Sequence, residues 1–303
     1  MKRTWVVFLL ASLILSACKP VLTPMPTSMP SATPLPTATA APTSMPTATP
    51  TATPTSTPSP LVSSPEEAGK TFYEALKRGN FEKAVSMYSE YYLSLTGNTR
   101  GSLRTAFEKS AFEGWKLLDY RIIESKMLND QTALLRVLTK EETSNGDKNV
   151  KTYDFWVALR KENGQWLFNG SIVDDRIIKV EPQNVNGVIV QPVRVIRFVD
   201  KLILVLRIEN TNDRGCFWGW AGVTIATFYF GEKVFDVSGE LKIEPNRIYP
   251  DAYVKLDGFQ ETYPNKVILS QWQWASETSP NLPEPLGETW SYSFDLQYEA
   301  PSQ

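Results

Sequence analysis

"TYDFWVALRKENGQWLFNGSIV", Thr152–Val173, decides how the chain folds. Tyr153, Phe155, Val157 and Leu159 recur at every second position, and Trp166 and Phe168 resume that rhythm after Asn163-Gly164. An apolar period of 2 places one face of an extended strand on a core, and Asn-Gly is the dipeptide favoured in two-residue hairpin turns. The stretch therefore reads as two antiparallel strands, with Ile172 extending the second. Trp156 stands on the other face of its strand, with Asp154 and Arg160, and is a candidate for a pocket wall or an interface.

The same period runs upstream, through Leu118, Tyr120 and Ile122 and then Ala133, Leu135 and Val137, with Asn129-Asp130 and Asn145-Gly146 at the turns. Before Gly114 the period becomes helical. "SSPEEAGKTFYEALKRGN", Ser63–Asn80, has Ser64 as N-cap, Pro65 in the first turn, Glu67 to close a capping box and Gly79 as stop. Its stripe is Ala68, Phe72, Ala75 and Leu76. Asn80 caps a second helix with Phe81, Ala84, Val85, Tyr88 and Tyr92 on one side, and a third runs from Leu103 to Phe112. Residues 62–178 are thus expected to form an α+β domain, helices first and then a curved antiparallel sheet.

This order, with "GNFEKAVSMYSEYY" (Gly79–Tyr92) and a closing "NGQWLFNGSIV" (Asn163–Val173), resembles the nuclear-transport-factor-two-like fold of SnoaL and ketosteroid isomerase relatives, over Pro65–Asp174. The resemblance implies a cone between helices and sheet. It also implies two chemical readings, an apolar ligand held in that cone or an isomerase- or dehydratase-like enzyme with an Asp base beside a Tyr. Tyr73 and Tyr88 are the candidate ligand residues. Alternation puts Asp119 opposite Tyr120 and Asp154 opposite Tyr153, so neither of these Asp–Tyr pairs is compelled to converge, and catalysis is not expected.

Downstream, residues 179–303 lose the helical signals. "TWSYSFDLQYEA", Thr289–Ala300, alternates Trp290, Tyr292, Phe294, Leu296 and Tyr298 with polar residues, as a half-buried strand does. "LRIENTND" (Leu206–Asp213) followed by "LKIEPNRIYP" (Leu241–Pro250) resembles the immunoglobulin-like domains of bacterial surface proteins, which implies an all-β sandwich. In "RGCFWGWAG", Arg214–Gly222, alternation sets Cys216, Trp218 and Trp220 on one side. Cys216 reads as a buried core thiol, and Trp218 and Trp220 as candidates for a contact surface.

The N-terminus carries a different message. Lys2 and Arg3, an apolar run from Trp5 to Leu15 and small residues before Cys18 have the form of an export signal, residues 1–17, too short to span a bilayer. "LSAC", Leu15–Cys18, resembles the lipobox of bacterial lipoproteins, which implies acylation of Cys18 and anchoring in the membrane. Residues 18–61 are almost entirely Pro, Thr, Ser, Ala and Met, ending in "PTATPTATPTSTPSP" (Pro46–Pro60), with no charge between Lys19 and Glu66. Such a composition cannot build a core and reads as an extended, semi-rigid tether.

The chain contains no histidine, which excludes Ser-His-Asp and Cys-His catalysis and His-containing zinc sites. No glycine-rich phosphate loop or dinucleotide turn is present. "NTNDRG", Asn210–Gly215, starts like a calcium loop but reaches Ala221 where the bidentate Glu belongs. Asp174-Asp175 and Glu141-Glu142 read as solvated strand ends. A net charge of -2 without a basic stripe excludes nucleic acid as a partner. The sequence therefore describes a lipid-anchored cell-membrane protein facing the outside, with a non-catalytic binding or structural role and no cofactor or metal. Envelope proteins or cell-wall polymer are the expected partners.

Overall fold

The computed structural model describes residues 64–145, 147–275 and 288–299. The expected signal, Cys18 and the tether lie outside them. Four helices come first: α1 (Pro65–Lys77), α2 (Phe81–Ser86), α3 (Glu90–Thr96) and α4 (Arg100–Phe112). A first sheet follows in the order β1-β2-β3-β4, from β1 (Lys116–Asn129), β2 (Thr132–Asn145), β3 (Asp147–Glu162) and β4 (Gln165–Phe168). Then β5 (Ile172–Ile177), β6 (Gln183–Val185), β7 (Val188–Phe198), β8 (Lys201–Asn210) and β11 (Arg247–Asp257) make a second sheet in the order β11-β8-β7-β5, with β6 also paired to β7. The third, β10-β9-β12-β13, is built from β9 (Cys216–Phe230), β10 (Lys233–Ile243), β12 (Lys266–Trp274) and β13 (Trp290–Asp295).

The expected class, an α+β cone followed by an immunoglobulin-like sandwich, is overturned: the described residues are 59% strand and 18% helix, a mostly β protein. One reason is that the second helix breaks in two. Tyr88 leaves the helix to bridge Phe168, with the Phe168 amide donating to the Met87 carbonyl at 2.7 Å and the Ser89 amide to the Phe168 carbonyl at 3.0 Å. Ser89 then caps α3, its hydroxyl accepting from the Tyr92 amide. A second reason is strand length, since β1, β2 and β3 run to 14, 14 and 16 residues. The third is β5. The run expected to continue through Ile172 stops at Phe168, Gly170 turns the chain at φ +62°, and Ile172 pairs with Phe198 of β7.

The helices lie on the first sheet through an aromatic core. Phe72 of α1 stacks on Phe168 at 3.9 Å, Tyr73 stacks on Tyr120 at 5.4 Å, and Tyr88 meets both Phe72 and Phe168 edge-on. Gly69 permits that approach, because a Cβ there would come within 2.5 Å of the Leu135 side chain. The second and third sheets share another core, including Leu204, Leu206, Trp218, Phe228, Trp272 and Tyr292. Here Trp272 is the hub, stacked on Trp218 at 4.9 Å and met edge-on by Tyr292 at 5.1 Å.

The acidic pairs read as solvated strand ends behave otherwise. Glu141 is only 7% exposed and takes hydrogen bonds from the Trp115 indole and the Thr139 hydroxyl, each at 2.8 Å. Asp174, on β5, is gripped by Arg197 of β7 through two bonds of 2.6 and 2.5 Å, and accepts a third from the Tyr263 hydroxyl at 2.6 Å. Arg197 also lies 4.6 Å from the Tyr263 ring centre and donates to the carbonyls of Gln260 and Glu261. Asp175 accepts from the Tyr91 hydroxyl of α3.

The side chains of Arg197 and Asp174 are 10% and 18% exposed, so removing one partner leaves a charge largely shut away from water. Arg197→Ala is expected to lower stability by roughly 3 kcal/mol in urea unfolding; a loss under about 0.5 kcal/mol, the scale of an ordinary surface change, would show the pair to be dispensable. Cys216 is fully buried and its burial pushes the thiol up to about 12. A thiol reagent at pH 8 is expected to label it only after denaturant is added, and equal rates in both states would refute the burial. Since the folded chain keeps a proton that the unfolded chain releases near its ordinary value of 9.0, this contribution is intact below about pH 9 and is lost as pH rises toward 12.

Candidate functional site

β9 begins as the sequence suggests. Cys216 and Trp218 point into the core, and the Trp218 indole donates to the Ile225 carbonyl at 3.2 Å. At Gly219 (φ +74°) and Gly222 (φ +80°) the strand leaves its pleat. Its register with β10 passes from Gly219 opposite Glu240 to Thr224 opposite Ser238, so residues 220–223 bulge out against Gly239 alone. Ile225 folds back over the gap. A Cβ at Gly219 would lie 2.0 Å from the Ile225 side chain, so only glycine fits there.

Beside this bulge opens a cleft of about 570 Å³, with Trp218 and Ile225 at its base and β10 and β11 as its walls. Each wall is the outermost strand of its own sheet among the described residues. They are joined by a short turn in which the Tyr249 hydroxyl accepts from the Glu244 amide at 2.9 Å, yet they do not pair with each other. β11 carries its own irregularity, between Tyr249 and Ala252, where Pro250 and Asp251 step out of the ladder with β8. A proline is tolerated there because an edge position asks for no inward amide.

The lining is mostly apolar, with Val237 and Leu241 from β10 and Tyr249 and Tyr253 from β11, but it includes the charged side chains Glu240, Asp251 and Lys255. Lys255 is engaged, 3.1 Å from Asp257. Among the described residues neither Glu240 nor Asp251 has an ion-pair partner. Chemically the cleft offers an apolar floor with two carboxylates on its rims. Among the described residues no group of three His, Cys, Asp or Glu is placed to hold a metal ion.

The residues singled out from sequence are dispersed. Tyr73 and Tyr88 are buried in the aromatic core below α1, and among the described residues the Tyr88 hydroxyl finds no partner. Trp156 is half-buried against Leu134, Ala158 and Val173, with Val199 and Phe259 from the second sheet's loops on the same cluster. Trp218 forms part of the cleft base, and Trp220 is half-exposed on the β9 bulge. Asp119 is held by Lys77 at 2.8 Å and Asp154 by Arg136 at 2.9 and 2.7 Å, both at the surface and apart from the buried tyrosines. Cys18 lies outside the described residues. Sequence reasoning missed Glu240, Tyr249, Asp251 and Tyr253. The available signal was Pro250 inside an apparent strand, which marks an edge or a bulge.

No family model matches the chain, and no curated protein does. Solved structures with similarity to it include a ketosteroid isomerase-like protein from Erwinia carotovora atroseptica, 19% identical over 34% of this chain and 87% of that one, with a TM-score of 0.29. Another is a protein of unknown function from Shewanella oneidensis described as NTF-2 like, 17% identical over 34% of this chain and 90% of its own, at 0.26. A third is a domain with a cystatin-like fold from Nostoc punctiforme, 16% identical over 34% of this chain and 69% of its own, at 0.27. The neighbours thus include nuclear-transport-factor-two-like and ketosteroid isomerase-like folds matched to about a third of the chain, and nothing about chemistry or ligand follows from likenesses this low.

Proposed function

We propose that this chain is a lipid-anchored, extracytoplasmic binding module that works without catalysis. The sequence "LSAC" at Leu15–Cys18 and the Pro/Thr/Ser-rich stretch after it supply the anchor and the tether in this reading. The observation that carries the binding role is the open cleft between β10 and β11, with its apolar base and two carboxylates that have no ion-pair partner among the described residues. In this reading the two carboxylates serve recognition, fixing the orientation of what the apolar base holds. The tyrosines that an isomerase-like or ligand-holding cone would use are instead packed on Phe72 and Phe168. The reading therefore moves the binding surface out of the helix-bearing part and into the edge of the two later sheets.

Cys18→Ser tests the anchor. The wild-type chain is expected in the membrane fraction and the variant in the soluble one, and equal membrane retention of both would refute the lipid attachment.

A further inference from the structure

We infer that the cleft between β10 and β11 receives an extended polypeptide segment that places a lysine or arginine beside an apolar side chain. This deepens the binding role proposed above and rests on it. Three features converge. The first is the rim: β10 and β11 are outermost strands among the described residues, and a strand edge presents backbone N–H and C=O groups that another extended backbone satisfies. Pro250 removes a donor from β11 at the cleft, so backbone pairing falls to β10.

The second feature is apolar surface. Of the large half-exposed side chains on these two strands, Val234, Ile248 and Tyr253, it is Tyr253 that lines the cleft. Val237 and Leu241 of β10 and Ala252 and Val254 of β11 complete the apolar lining. An alternating segment would set every second side chain against them and turn the others outward.

The third is charge. Glu240 and Asp251 face the cleft without an ion-pair partner among the described residues, while the one lining cation, Lys255, is paired with Asp257. An anionic ligand would meet like charges, and a neutral one would leave both exposed carboxylates unmatched. A cationic side chain completes both. A second copy of this chain is a poorer occupant, because a two-fold pairing of this edge would bring Glu240 and Asp251 against the same acidic rim.

The test uses the purified full-length chain and two fluorescein-labelled peptides, one alternating valine with lysine and the other valine with glutamate, read by fluorescence anisotropy. The lysine peptide is expected to bind, and the glutamate peptide to bind at least about tenfold more weakly. Glu240→Gln combined with Asp251→Asn is expected to weaken the lysine peptide by about tenfold, and Tyr253→Ala to weaken it independently. Glu113→Gln, on the last turn side of α4, is expected to leave it unchanged, and urea unfolding checks that every variant folds. The inference is overturned if the lysine peptide fails to bind, if it binds the double variant as well as wild type, or if both peptides bind alike. It is equally overturned if the double variant instead loses affinity for a cell-wall oligosaccharide, or abolishes a concentration-dependent dimer seen by sedimentation. None of these outcomes changes the Cys18→Ser fractionation, so the anchor and the occupant stand or fall separately.

Discussion

Asp174 and Arg197 hold the architecture at its junction. Three residues separate β5 from the end of the helix-bearing sheet, and its Asp174 is tied by Arg197 to β7 and by Tyr263 to the segment before β12, while neighbouring Asp175 accepts from Tyr91 of α3. Two carboxylates of β5, the guanidiniums of Arg197 and Arg194 and two phenols thus link β5 to three other segments. Each of these charges would be costly alone in partly dry surroundings, so loss of one partner penalises the junction more than the pair itself stabilises it. The expected domain boundary near residue 178 falls just after β5, whose partner lies beyond it.

Much of the local structure was readable. The caps of α1 at Ser64 and of α2 at Asn80 are those the sequence announces, and the hairpin between β3 and β4 turns where Asn163-Gly164 stands. What escaped was set by partners remote in sequence. The break between α2 and α3 exists because Tyr88 finds Phe168, eighty residues on. Ile172 keeps the rhythm of Trp166 and Phe168 but belongs to another sheet, and no local pattern says which sheet a strand joins. Asp174 looks solvated until Arg197 and Tyr263 are brought to it.

Glu141 is the opposite case, since its signal was present and was outweighed by its charge. It shares parity with Ala133, Leu135, Val137 and Thr139, all inward-facing on β2, so alternation alone predicts burial. The cleft was illegible for a different reason. Glycines 219 and 222 advertise an irregular strand, yet the size of the bulge follows from the register of β10 and β12 against β9, which only assembly defines. Alternation marks Trp218 in the sequence, and its surroundings hold both a core and an opening.

The step at Pro250 and Asp251 also bears on how copies of this chain behave together. Exposed strand edges are templates for unlimited sheet growth, and the danger rises wherever many copies crowd one surface. Proline without an amide hydrogen, a local kink and a carboxylate beside it interrupt the template on β11 after a few residues. The irregularity beside the cleft therefore shortens the run of β11 edge that a strand of another copy could pair with.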